Sequence, residues 1–176
     1  MLTTLLALTL VAQPAPPDIK VTYNERQDLT LILMEVAHEK EQGKSSFIMA
    51  IYTGHSGKIR PKQLSDLVTL SIQRMGYDYV WQDSHGVRLR CGKALMNHRQ
   101  DSYESEILKD YHSESVETRI KRGDLSKALD AGKDIQMTIG SNTSISFGNE
   151  ARKKMTAFLR YLDEYASAKP DGGKGR

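Results

Sequence analysis

A chain of 176 residues with 39% hydrophobic and 27% charged side chains has the make-up of one ordinary globular domain, not of a bundle of membrane spans or a disordered polyelectrolyte. A formal net charge of +3 is too small to argue for a nucleic acid or a membrane surface as partner. The single cysteine, Cys91, excludes an intrachain disulfide and is expected to be a buried thiol.

Leu2 to Ala12 is an uncharged run rich in Leu, Thr and Ala, and Gln13-Pro14-Ala15-Pro16-Pro17 follows it at once. The run suits a signal-peptide core of about 7–15 residues and falls short of the roughly 20 that cross a bilayer as a helix. Residues 1–12 therefore read as a secretory signal cut after Ala12, although no Lys or Arg precedes the apolar run. Residues 13–23 read as a proline-rich extended segment, 24–167 as a single domain, and 168–176 as a disordered basic tail. The expected address is the periplasm or the exterior. No later segment reads as a transmembrane anchor.

Asn24 and Gln27 have the spacing of a helix capping box, and Leu29, Ile32, Leu33, Val36 and Ala37 then recur at helical intervals up to Gly43. A first helix is expected there. Phe47 to Tyr52 is a short apolar run that fits strand or helix and is read as helix or an irregular continuation. Pro61, then Leu64, Leu67, Val68, Ser71 and Met75, then Gly76, predict a second helix.

Tyr77 to Cys91 reads as a β-hairpin. A three-residue loop, Ser84-His85-Gly86, would turn Tyr77, Tyr79 and Trp81 inward with Leu89 and Cys91 and turn Arg88 and Arg90 outward. An even loop would instead pair the aromatics with the arginines as an exposed stacking platform. The odd register separates apolar from polar residues better and is preferred. Residues 93–132 read as helix or loop; Asp101, Glu104, Glu106, Asp110, Glu114 and Glu117 read as the solvated face of a helix rather than an acidic surface for a basic partner or divalent cation, and Asp124 as the cap of a short helix.

Ile135, Met137 and Ile139, then Ile145 and Phe147, alternate with polar residues around an odd turn. They predict a second hairpin whose five apolar residues share one face. From Asn149 a terminal amphipathic helix carries Ala151, Met155, Phe158, Leu159, Leu162 and Ala166. Arg152, Lys153 and Lys154 crowd its first turn, where the helix dipole opposes positive charge.

The expected class is α+β, an antiparallel sheet built from hairpins at about 77–91 and 135–147 and covered by helices. Gly54-His55-Ser56-Gly57-Lys58 lacks the spacing of a phosphate loop, and the five histidines show no metal-ligand spacing. No cofactor is expected. The reading is a small exported non-enzymatic protein that binds a protein or other envelope macromolecule, as accessory, inhibitor or immunity proteins do. Arg88, Arg90, Arg152, Lys153 and Lys154 are its candidate interaction residues. One alternative is a small exported hydrolase or metal enzyme assembled around His55 and His85. A weaker one is nucleic-acid binding through Arg88, Arg90, Lys93 and Arg99.

Overall fold

The computed structural model describes residues 16, 18–41, 45–82, 86–109, 111–141 and 143–167. The expected signal, residues 13–15 and 17 of the proline-rich stretch, and the basic tail lie outside them. The described residues form two antiparallel sheets and two helices, so the class is α+β.

The first sheet has the order β1-β2-β3-β4-β8-β7. Its strands are β1 (Ile19–Asn24), β2 (Leu29–Glu41), β3 (Ser45–Ser56), β4 (Leu67–Gly76), β7 (Ser102–Leu108) and β8 (Tyr111–Lys121). The second has the order β10-β9-β5-β6, from β5 (Gly86–Cys91), β6 (Ala94–Arg99), β9 (Ile135–Ile139) and β10 (Thr143–Phe147). Helix α1 (Arg122–Asp130) follows β8, and α2 (Asn149–Ser167) ends the described chain.

Two expected helices are strands, and the Phe47 to Tyr52 run, read as helix or irregular, lies within strand β3. In β2, Ile32, Met34 and Val36 are buried, and in β4, Val68, Leu70 and Ile72 are, each at a spacing of two. Both stretches carry apolar residues on both faces, so a helical series could be picked from them equally well. The Asn24 signal is physically real but serves a turn. Asn24 Oδ1 accepts from the backbone N–H of Arg26 at 3.0 Å and of Gln27 at 3.3 Å, closing the β1–β2 hairpin in place of a helix start. A shift in register between Glu35 and Ala37 lets the long β2 bend along β3.

The expected 77–91 hairpin is replaced by a different pairing. Only its second arm is a strand: β5 runs between β6 and β9, joined to β6 through a tight turn with Gly92 at φ +56°. Trp81 and Cys91 are fully buried as expected. The acidic region is not helical either. It forms β7 and β8, which leaves Glu104 and Glu106 exposed but encloses Glu114. Asp124 lies in the first turn of α1 without capping it.

The 135–147 hairpin has its odd turn, and Ile135, Met137, Ile139, Ile145 and Phe147 are all buried. Against them and the inner face of the first sheet lies α2, burying Ala151, Met155, Phe158, Leu159, Leu162 and also Tyr161 and Tyr165. One apolar core thus runs through both sheets and both helices.

Candidate functional site

The segment leaving β4, Tyr77 to Gln82, is built around a buried ion pair. Arg74, on the inner face of β4, lies opposite Glu114 of β8, and their side chains are 7% and 0% exposed. Arg74 Nη1 donates to Glu114 Oε2 at 3.1 Å and to the carbonyl of Asp78 at 2.6 Å. Nη2 donates to Asp78 Oδ1 at 2.6 Å and to Ser45 Oγ at 3.1 Å. The Arg74 guanidinium beside it holds the Asp78 carboxyl below the usual range.

Glu114 is held as fully. Its carboxylate accepts from the backbone N–H of Val80 at 2.9 Å and of Trp81 at 2.8 Å, and from the Tyr103 hydroxyl at 3.0 Å. A charge this deep is tolerated only when paired and hydrogen-bonded, and here both conditions hold. The consequence is mechanical. Arg74 grips Asp78, Glu114 grips the two amides beyond it, and the intervening backbone has little freedom.

Trp81 anchors the far end. It packs against Phe47 of β3 with ring centroids 6.2 Å apart, and its Nε1 donates to Thr143 Oγ1 of β10 at 3.0 Å. One residue therefore ties the loop to both sheets.

What the loop displays is aromatic. Tyr77 is 58% exposed and stacks on Tyr111 of β8 with centroids 5.0 Å apart. Tyr79 lies edge-on over His112 at 4.2 Å. Val80, Tyr79 and Ile107 are also exposed, Ile107 by 64%. Nδ1 of His112, beneath Tyr79, is buried with no hydrogen-bond partner among the described residues. Rigid tyrosines with wet hydroxyls and apolar bodies are the side chains that protein interfaces favour.

The residues singled out in the sequence sit elsewhere and do not converge. Arg88 and Arg90 project from the outer face of the second sheet, opposite Thr138 and Gln136, and Arg88 Nε donates to Asn97 Oδ1 at 3.2 Å. The cations at the start of α2 are answered locally. Arg152 reaches Asn149 Oδ1 at 3.0 Å and the Leu129 carbonyl at 3.4 Å. Lys153 pairs with Glu150 at 3.5 Å, and Lys154 approaches Asp18 at 3.9 Å. The opposing carboxylates are thus Glu150 and Asp18, not the acidic strands.

His55 Nε2 is 3.1 Å from the Tyr165 hydroxyl and its Nδ1 3.1 Å from the Ser56 carbonyl, so the ring clasps β3 to α2. Arg60 covers the Tyr165 ring at 4.5 Å. His85 lies outside the described residues. Among those described, no group of three His, Cys, Asp or Glu residues is placed to hold a metal ion. No described helix is long and apolar enough to cross a membrane.

Strand alternation in the sequence turns Tyr77 and Tyr79 inward with Trp81, but residues 77–82 form no strand and both tyrosines are exposed. The usable signal was Asp78 between two tyrosines, a short polar residue suited to a turn. Compared with known protein families, curated proteins and solved structures, the chain matches none.

Proposed function

We propose that this is an exported, non-enzymatic protein that binds another macromolecule, and that the exposed Tyr77–Tyr111 pair forms its docking face. One observation carries the reading: the exposed Tyr77, stacked on Tyr111, stands on a loop fixed from below by the Arg74–Glu114 pair. A loop ordered in advance does not lose that entropy on binding, which is how a modest surface reaches useful affinity. Tyrosines anchor interfaces out of proportion to their number. The export half rests on the Leu2 to Ala12 run and the prolines after it.

The test is position-specific photocrosslinking in cells producing the full chain. A benzophenone amino acid replacing Tyr77 or Tyr111 should give one discrete adduct in the envelope fraction, and the same group replacing Arg88 or Lys153 should give none. Adducts of equal strength from all four positions, or none from the tyrosines, would overturn the docking face. Sequencing the mature N-terminus tests the address: Gln13 as first residue is expected, and a retained Met1 in cytosolic material contradicts it.

A further inference from the structure

The outer edge of β7 borders the tyrosine face, and no described strand or helix pairs with it. Its two faces differ in chemistry. Ser102, Glu104 and Glu106 share one face with Glu117, Ser115 and Ser113 of β8 and Gln73 of β4. Gln73, Glu104, Glu106, Ser113 and Ser115 line an open groove of about 510 Å³. Tyr103, Ser105 and Ile107 share the other face, with His112 and the Tyr79 ring above it.

Neither Glu104 nor Glu106 has an ion-pair partner among the described residues, although Asp101 close by is paired with Arg119 at 3.0 Å. Residues two apart on a strand are about 7 Å apart on one face, so the two carboxylates repel each other with only Ser115 and Ser113 opposite them. Ile107, on the opposite face from them and on the same side as the Tyr79 ring, is among the most exposed apolar residues described. An edge left open with charge on one face and apolar surface on the other matches a strand of complementary alternation.

We infer that β7 takes up an extended peptide segment as an added strand, its basic residues on the Glu104–Glu106 face and its alternate residues apolar, on the Ile107–Tyr79 face. This deepens the proposed function and rests on it. Backbone hydrogen bonds to β7 would supply register-independent affinity, and the alternation would supply selectivity.

The test is a titration of the full chain with the blocked heptapeptide Lys-Val-Lys-Tyr-Lys-Val-Lys, followed by amide chemical shifts. Saturable shifts confined to residues 102–108 and the Tyr77–Val80 loop are expected. A peptide of the same composition with its lysines consecutive should bind at least about tenfold more weakly, as should the E104K/E106K double variant, whose exposed positions leave the fold intact. Of two peptides N-methylated on odd or on even residues, one should bind and the other should not, because a strand presents only one edge to β7. Equal binding of ordered and shuffled peptides, shifts on the Arg88 face, or no saturable shift would overturn the inference. So would self-association of E104K/E106K with no peptide effect, which would make the two glutamates guards of a bare edge. Crosslinking from Tyr77 reads the docking face independently, so loss of the peptide site alone leaves that proposal standing.

Discussion

Arg74 Nη1 and Glu114 Oε2 lie 3.1 Å apart, two strands' side chains closed into a pair that almost no solvent reaches. Each group keeps further partners: Asp78 and Ser45 for the arginine, the Val80 and Trp81 amides and Tyr103 for the glutamate. The pair therefore acts less as a source of stability than as a clasp that gives Tyr77 to Trp81 one conformation.

Removing one partner strands the other. Glu114→Ala should lower unfolding free energy by about 3–5 kcal/mol, the usual consequence of an unpaired buried charge. Glu114→Gln keeps an acceptor for the two amides and should lose less. Urea denaturation followed by Trp81 fluorescence reads both. A loss below about 1 kcal/mol for the alanine variant would mean that the pair does not hold the loop.

Gly76 tests the same clasp by crowding. A Cβ there would lie 2.6 Å from Arg74 Nη2 and 2.7 Å from its Cζ. Gly76→Ala must push the guanidinium off its partners and should cost about 1–3 kcal/mol. Gly86 is the control, since its Cβ would meet only the His98 carbonyl at 3.6 Å. Gly86→Ala should stay within about 0.5 kcal/mol of wild type. Equal effects of the two would remove the steric argument.

These residues also show where the sequence could be read and where it could not. The 135–147 hairpin and α2 were legible because each has one apolar and one polar face, so only one period fits. β2 and β4 were not: in β2, for example, Leu31 and Leu33 alternate with Ile32 and Met34, so that strand and helix series overlap. Asn24 illustrates a deeper ambiguity: the same side-chain acceptor closes a β-turn or starts a helix, and only the pairing of β1 with β2 decides. The docking face depends on Glu114 meeting a loop 33 and 34 residues away in sequence, a contact that no local pattern announces.

Tyr52, on the face of the first sheet opposite the core, is pushed up to about 12 by burial and then by its hydrogen bond to Glu117. A folded pKa above the unfolded value means that the protonated phenol is favoured in the fold. Its contribution is complete below about pH 10 and is lost as pH rises through about 12. Stability should fall across that window, and Tyr52→Phe should flatten the fall. An identical alkaline slope in the variant would contradict the assignment.

Cys91 is fully buried, and burial pushes its thiol up. It should resist aromatic disulfide reagents in the folded chain and react at once in denaturant. The labelling rate should track global unfolding, rising with each destabilising variant above. Fast labelling of the native wild type would place the thiol at the surface and contradict the β5 register.

Amide hydrogen exchange at Val80 and Trp81 reads the clasp without any partner present. Both amides should be protected in the free wild-type chain, and Glu114→Gln should accelerate them while Met137 and Ile145 in the β9–β10 hairpin stay slow. Exchange of Val80 and Trp81 at open-chain rates in the wild type would mean that the tyrosines stand on a mobile loop and that no docking face exists before binding.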